Sequence, residues 1–510
     1  MNRQFILSCF LVLALDAPTL LAEEREKGGS GIADHPSKLV FPDIDFTPPD
    51  AKSHRHVLPC RVVVYVVEDH ELPLVDVQVL VRTGTYLDPP GKYGLASTVS
   101  RLLRAGGTAK SAPADFDEEL AFLAAEVRTG LEDTEGSASF NCLTKDLDRV
   151  LEMFFDMLKT PRFDAERLAL QKSQDLQEMA RRNDQTASIE GREWERLLRG
   201  PDFFTVERET KQSVESVSRD DLIAFHHRYY HPRNFLLAVS GDVATEKILA
   251  KLDERLKDWP TGQPEPEVAP KPPRPSHEIV PGVYTVEKAD VNQGRVSMGH
   301  LSAMRDTQDY HALFIMNHIL GSGGFTSRIM SRVRSDEGLA YSAGSRFEFG
   351  VYFDGFFKAF FQSKSQSVAQ AVSMVKQEIE RIRTTDVTKD EVDTAVSYAV
   401  GTFPRFFANA SMVATTFASD EFTGRDPDFW RTYREKMKMV TTADVRRVAD
   451  KYLHPDRLVI LIVGNIADIL KGKGGPEAGA EILKNIAGSR DIQSIPLPDP
   501  MTLEYPKGSN

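Results

Sequence analysis

Few residues in this 510-residue chain combine the types and spacing that chemistry needs. Arg334 and Tyr341 offer a guanidinium fork and a phenol, both of which can donate hydrogen bonds to the oxyanion of a tetrahedral intermediate. Taken alone, the two residues favour a plainer interpretation, a salt-bridged surface arginine and a tyrosine at a strand edge. Their function therefore depends on the elements that position them.

A glycine-rich segment precedes this pair. Gly321, Gly323 and Gly324 open a helical pattern through Thr326 and Ser327, so their backbone amides could hold an anion. A nucleotide-binding loop is not expected, because the segment lacks a Gly-Lys-Ser/Thr ending. A tight turn at the start of a helix is the alternative interpretation.

Other candidate sites are weaker. His227 and His231 have the spacing of two metal ligands on a helix, but Pro232 ends any helix there and favours a structural role. There is no Gly-x-Ser-x-Gly nucleophile elbow. The chain has 63 Lys and Arg against 75 Asp and Glu, a net charge of −12, and no long basic run. This balance argues against nucleic acid as a partner.

Residues 1–22 have the pattern of a secretory signal. Arg3 is followed by the apolar stretch 5–15, a proline at position 18 and small residues before an acidic start of the mature chain. We therefore expect export to the periplasm or the medium, with no permanent membrane span after cleavage. A disulfide between Cys60 and Cys142 is possible in such a compartment, but the sequence does not show whether they meet.

The chain divides into two similar halves. Eight prolines between positions 260 and 281 predict an extended, semi-rigid linker near the middle. Three matched pairs on either side keep one offset, 223 residues: Val217 with Val440, His231 with His454, and Gly241 with Gly464. A gap-free offset of this kind indicates duplication.

Hydrophobic patterning predicts mixed secondary structure in each half. In the first half we predict strands over 61–67, 75–83 and 137–143, and helices over 94–103, 145–158 and 164–182. In the second half we predict strands over 342–349 and 352–361, and a helix over 365–383. Runs of strands followed by runs of helices predict the α+β class, with a mostly antiparallel sheet flanked by helices in each half.

Four segments, residues 67–96, 163–179, 229–243 and 321–342, resemble the pitrilysin/insulinase family of zinc peptidases. The resemblance covers roughly residues 57–467 in order. It implies two homologous α+β halves that enclose a chamber, closed like a clam shell together with a partner. It also implies that the glycine-rich segment faces the other half across that chamber, as a flexible loop that contacts substrate.

The zinc motif of that family is degenerate in this chain. The family carries His-x-x-Glu-His on a helix, two zinc ligands and a general base, directly after Gly-Leu-Ala. Here Gly-Leu-Ala is followed by a sequence that places Ser97, Ser100 and Arg101 at those three positions. Serine is a poor zinc ligand and arginine is a fixed cation, so we expect no metal to be bound by this chain.

A residual carboxylate matches the third zinc ligand of the family. Counting along the family pattern places it at Glu178, on a later helix. Without its histidines, a lone glutamate is more often a solvated or salt-bridged helix residue than a ligand. We expect Glu178 to pair with Arg101.

The second half keeps what the first half has lost. Members of the resembled family carry an arginine and a tyrosine seven residues apart that stabilise the oxyanion and hold the substrate. Arg334 and Tyr341 match that setting. Within it, the resemblance favours the functional interpretation of this pair.

This asymmetry predicts a non-catalytic subunit of a heteromeric, exported zinc peptidase that acts on unfolded peptides. A zinc-motif-bearing paralogue of similar size would supply the metal, and this chain would be inactive alone. The alternative is a structural or peptide-binding subunit with no role in catalysis. The expected organisation is a signal (1–22), an N-terminal extension (23–56), a peptidase-like domain with the degenerate site (57–258), a linker (259–283), a second peptidase-like domain (284–467) and a tail (468–510).

Overall fold

The computed structural model describes residues 45–260 and 266–506. The predicted signal, residues 1–22, lies outside these residues, as does most of the predicted extension after it. Among the helices that the structure describes, none has the length and apolar character that crossing a bilayer requires.

The first sheet has six strands. In chain order they are β1 Arg55–Val57, β2 Val63–Glu68, β3 Leu74–Val81, β4 Glu126–Leu131, β5 Gly136–Leu143 and β6 Phe235–Gly241. Their order across the sheet is β1-β2-β6-β3-β5-β4, and every pair is antiparallel except β2 with β6. The helices of this half are α1 Ala51–His54, α2 Leu95–Ala105, α3 Pro113–Phe122, α4 Leu147–Lys159, α5 Ala165–Met179, α6 Thr186–Arg199, α7 Lys211–Ser216, α8 Arg219–Tyr229 and α9 Thr245–Lys257.

The second sheet repeats the first. Its strands are β7 Gly282–Glu287, β8 Gln293–Leu301, β9 Ala340–Phe347, β10 Phe356–Lys364, β11 Val459–Gly464 and β12 Gln493–Ser494. Their order across the sheet is β12-β7-β11-β8-β10-β9. The five strands β7-β11-β8-β10-β9 repeat the order β2-β6-β3-β5-β4 of the first sheet. The helices are α10 Tyr310–Asn317, α11 Arg328–Met330, α12 Val368–Thr384, α13 Lys389–Thr402, α14 Ala410–Thr423, α15 Phe429–Lys438, α16 Thr442–Tyr452, α17 Ile466–Lys471 and α18 Ala478–Ala487.

The predicted duplication and the α+β class are confirmed. Helices α8 and α16 begin at equivalent capping boxes, in which Ser218 exchanges hydrogen bonds with Asp221 and Thr441 with Asp444. Each side-chain oxygen accepts from a free amide of the first turn, which fixes where the helix begins. The strands that follow, β6 and β11, are buried at the centre of their sheets.

Each half lends one helix to the other. Helix α14 packs across the outer face of the first sheet, where Phe417 joins a core with Tyr65 and Leu236. Its counterpart α6 packs across the outer face of the second sheet, where Trp194 joins a core with Val459 and Leu461. The two halves therefore complete each other's cores.

A buried carboxylate anchors α6 on the second sheet. Glu190 is 4% exposed and accepts a hydrogen bond from Ser297 and ion-pair contacts from Lys358 and Arg295. Burial opposes ionisation, but Lys358, Ser297 and Arg295 together hold the pKa of Glu190 below its ordinary value.

The linker contacts the first half, and the tail contacts both halves. Residues 266–281 contain no helix or strand, as predicted, and the Glu267 carbonyl accepts a hydrogen bond from His231 at 3.0 Å. The tail was left open by the sequence. It adds β12 to the second sheet and then returns to α6, where the Tyr505 hydroxyl donates to Glu193 at 2.9 Å.

The two cysteines of the described chain are not joined. Cys60 and Cys142 are both free thiols, and Cys142 is buried in β5. Burial raises the pKa of the Cys142 thiol to about 12, which makes it a packing residue with little thiolate character.

Candidate functional site

The degenerate motif lies on α2, whose start is held by a carboxylate. Asp88 accepts hydrogen bonds from the backbone amides of Gly94 and Ala96, both at 2.7 Å. Burial raises the pKa of Asp88 to about 7, with a smaller contribution from the charges of Glu209 and Glu207. These two hydrogen bonds fix the start of α2 at Leu95.

Side chains of this half fill the position of the metal. The Arg101 guanidinium binds the Asp175 carboxylate on α5 at 2.6 Å, and Gln171 donates to the same oxygen at 2.9 Å. Ser100 is buried, and Ser97 lines a small cavity together with Arg101 and Asp175. The cavity volume is about 10 Å³, roughly the space of one water molecule.

The expected pairing of Arg101 with Glu178 is wrong. The partner is Asp175, about one helical turn earlier on α5, and Glu178 is exposed. Residues three apart lie on adjacent parts of a helix face, so counting along the motif finds the right helix and misses the residue that faces α2.

The residues present do not fit a zinc ion. Zinc sites use imidazole, thiolate or carboxylate ligands, whereas Ser97 and Ser100 offer neutral hydroxyls and Arg101 a permanent cation. Among residues 45–260 and 266–506, no cluster of three or more His, Cys, Asp or Glu side chains could hold a metal.

The predicted pair in the second half is brought together. Arg334 lies in a π-helical turn, Ser331–Asp336, and Tyr341 lies at the start of edge strand β9. The Arg334 Cζ atom is 4.9 Å from the centre of the Tyr341 ring, a cation–π contact. Tyr341 is 83% exposed, so this pair faces outward from the core.

Sequence reasoning missed Phe325. Its ring centre lies 4.6 Å from the Arg334 Cζ atom, and the ring is 67% exposed. An exposed phenylalanine directly after Gly323 and Gly324 was the available signal, because a large apolar side chain on a glycine-rich loop has no core to enter.

The three glycines have different surroundings. Gly321 is buried, and a Cβ atom there would come within 2.3 Å of the Ser345 amide on β9. A Cβ at Gly323 would meet the His318 carbonyl at 2.7 Å. Gly324 has φ +62° and open space around it. Gly321 and Gly323 therefore allow close packing, and substrate contact stays a prediction that best suits Gly324.

A buried ion pair holds this segment in place. Arg328 on α11 makes two hydrogen bonds to Glu391 on α13, at 2.6 and 2.8 Å. Burial opposes ionisation of Glu391, but Arg328 and the Thr388 amide lower its pKa to about 2. The loop that carries Phe325 is thus tied to the helical layer of the second half.

Two family models match the chain. The model described as Insulinase (Peptidase family M16) matches residues 63–193, and the one described as Peptidase M16 inactive domain matches residues 216–398. The chain belongs to the insulinase (M16) peptidase family, which confirms the resemblance inferred from the sequence. It is a member that has the family fold without the zinc ligands.

Relatives include a protein of the same type. A Helicobacter pylori protein described as non-peptidase homolog YmxG is 24% identical over 424 residues, which is 81% of this chain and 94% of that protein. An uncharacterized zinc protease of Mycobacterium leprae is 28% identical over 211 residues, covering 40% of this chain and 46% of that protein.

Solved structures confirm the fold. A peptidase M16 inactive domain from Pseudomonas fluorescens matches 80% of this chain and 97% of its own, with a TM-score of 0.72 at 22% identity. A protease from Helicobacter pylori matches 82% of this chain and all of its own, with a TM-score of 0.70 at 18% identity.

Proposed function

We propose that this chain is the non-catalytic subunit of a heteromeric, exported zinc peptidase. It closes the chamber of a zinc-bearing paralogue of similar size and presents Arg334 and Tyr341 to the bound peptide. One observation carries the proposal. The position of the zinc motif is filled by an ion pair within the chain, while the arginine and tyrosine of the other half contact each other, with Tyr341 exposed and Arg334 half-buried.

The partner's zinc would activate the water that attacks the peptide carbonyl. Arg334 and Tyr341 would donate hydrogen bonds to the carbonyl oxygen, which gains negative charge as the tetrahedral intermediate forms. Donors that face a developing charge act on the transition state more than on bound substrate. Their loss should therefore lower kcat more than it raises KM.

The test is steady-state kinetics of the reconstituted complex on a quenched fluorescent peptide. Arg334→Ala should lower kcat about 100-fold and Tyr341→Phe about tenfold, with the complex still intact by gel filtration. Arg332→Ala is the matched control. It removes the same charge from the same turn, but Arg332 pairs with Glu337 and has no role in the proposed catalysis. It should change kcat less than threefold.

Unchanged kcat in Arg334→Ala, or equal losses in Arg334→Ala and Arg332→Ala, would rule the proposal out. An intact complex with unchanged kcat would favour the structural or peptide-binding subunit instead.

Export is tested separately: the tagged chain should appear in the periplasmic or secreted fraction with residues 1–22 removed, and recovery in the cytoplasm would contradict it.

A further inference from the structure

The Arg334 guanidinium contacts two aromatic rings. These are the rings of Phe325 and Tyr341, at 4.6 and 4.9 Å. We call these three residues the clamp. Cation–π contacts restrain the guanidinium while leaving its N–H groups, which lie in its plane, available to a ligand.

The two neighbouring arginines each have a carboxylate partner. Arg328 pairs with Glu391 at 2.6 Å, and Arg332 approaches Glu337 at 3.6 Å. Among the side chains that the structure describes, no carboxylate forms an ion pair with Arg334. A half-buried arginine that has no ion-pair partner among the described side chains can bind an anion from outside with its free N–H groups.

The surroundings of the clamp leave room for a chain end. Phe325 and Tyr341 are 67% and 83% exposed, and a Cβ atom on Gly324 would have no neighbour within 4 Å. A carboxylate matches the fork of a guanidinium, because two parallel N–H donors reach its two oxygens. The exposed rings of Phe325 and Tyr341 can also pack against the last side chain of a peptide.

We propose that the clamp binds the carboxylate of a peptide, and specifically the one at its C-terminus. The inference rests on the proposed function, because this carboxylate would come from peptide hydrolysis by the complex. Hydrolysis breaks the C–N bond, gives the nitrogen a proton and gives the carbonyl carbon a hydroxyl, so that the acid ionises to a carboxylate. That carboxylate forms on the carbon whose oxygen Arg334 would stabilise, so the clamp retains the N-terminal product and the complex is product-inhibited.

The test needs no partner subunit. Binding of a fluorescein-labelled alanine–serine peptide to the isolated full chain is measured by fluorescence anisotropy, with the peptide as the free acid and as the C-terminal amide. The acid should bind about tenfold more tightly, and added NaCl should weaken it. Arg334→Lys, which keeps the charge but loses the fork, should remove this preference.

Phe325 supplies the second variant. Phe325→Ala should weaken binding of the acid severalfold and Phe325→Tyr should restore it, because tyrosine keeps the ring. Arg332→Ala should bind as the unaltered chain does. Phe325 and Arg334 are outside the core, so thermal melting should show that these variants fold normally.

Equal affinity for acid and amide, or unaltered binding in Arg334→Lys, would overturn the inference. An amide peptide ending in glutamate that binds as tightly as the acid would overturn the C-terminal assignment and leave a side-chain carboxylate as the ligand. These results are distinct from failure of the proposed function, which is judged by kcat in the complex.

Discussion

Arg101 occupies with its own charge the position that a metal ion would need. Its ion pair with Asp175 is half exposed on the arginine side, so it contributes at most about 1 kcal/mol to folding. Its larger effect is exclusion, since a guanidinium cannot lose its proton and would repel a dication. The Arg101–Asp175 ion pair therefore closes this position to a metal ion.

Buried histidines make folding sensitive to acid. His226 donates to the Leu158 carbonyl at 2.8 Å, and the Nε2 atom of His300 accepts from the His454 amide at 3.1 Å. Burial lowers the pKa of both imidazoles to about 4, so both are neutral in the native protein near neutral pH.

We predict that the free energy of unfolding falls as the pH drops below about 6.5. The unfolded chain, with ordinary histidine pKa values, takes up protons first, and the effect levels off below about pH 4. Each of His226 and His300 contributes a loss of about 3 kcal/mol over this range, partly opposed by Asp88, whose pKa is raised. Urea unfolding at several pH values measures this.

The control for this prediction is His226→Gln, which keeps a donor for Leu158 and cannot titrate. The loss of unfolding free energy on acidification should be smaller in this variant than in the unaltered protein, by roughly the contribution of one histidine. Identical profiles would show that His226 is protonated in the native state or plays no part in the acid response.

For individual residues, the sequence predicted which residue types occupy the site better than it predicted their side-chain contacts. It identified the positions of Ser97, Ser100 and Arg101, but the partner of Arg101 depends on how α2 and α5 are rotated against each other. That rotation is set by packing around the two helices, which motif spacing does not encode. Phe325 was missed for a similar reason, because its contact with Arg334, nine residues later, depends on how a short helix and a π-helical turn fold the chain back.

Among the elements, the two π-helical turns are the most unusual. His318–Ser322 and Ser331–Asp336 flank the segment that carries Phe325, and the second contains Arg334. Single π-helical turns are rare and occur frequently at functional sites. Here they interrupt what the sequence pattern suggested would be a simple helix start at Gly321–Gly324.

We predict that the contact of α6 with the second sheet depends on Glu190. Glu190→Ala should lower the free energy of unfolding by roughly 3 kcal/mol, because Lys358 and Arg295 would lose their buried partner. Asp428→Ala, which removes an exposed partner of Arg431, should change it by less than about 0.5 kcal/mol. Urea denaturation of both variants gives the comparison.

The double variant Glu190→Leu with Lys358→Met should recover part of the loss, since a buried ion pair can be replaced by apolar groups of similar size. A loss in Glu190→Ala no larger than that in Asp428→Ala would contradict the anchoring role.

The sequence predicted the long helices and strands well, but it did not predict which surfaces they pack against. Predicted strands at 61–67 and 137–143 correspond to Val63–Glu68 and Gly136–Leu143, and the predicted helix at 365–383 corresponds to Val368–Thr384. Periodicity shows that a helix has an apolar face but not which surface covers it. The exchange of α6 and α14 therefore could not be predicted.

For the whole molecule, the exchange joins the two halves into one compact unit, Phe46–Asn510. Either half alone would expose the outer face of its sheet, which the other half now covers. The duplication seen in the sequence thus produced two similar folds without producing two independent domains.

We predict a single unfolding transition, with equal calorimetric and van't Hoff enthalpies. A protease site inserted between Pro272 and Pro273 should, after cleavage, leave the two fragments associated during gel filtration. Separate transitions, or fragments that elute apart and remain folded, would show that the halves are independent.

The exchange of α6 and α14 also affects synthesis on the ribosome. The first sheet is complete when β6 has been made, but α14 ends at residue 423, about 180 residues later. At roughly 5–20 residues per second, the apolar strip around Leu80 and Leu236 stays uncovered for about 10–40 s. During that interval the nascent chain exposes an apolar surface, which only synthesis of the second half covers.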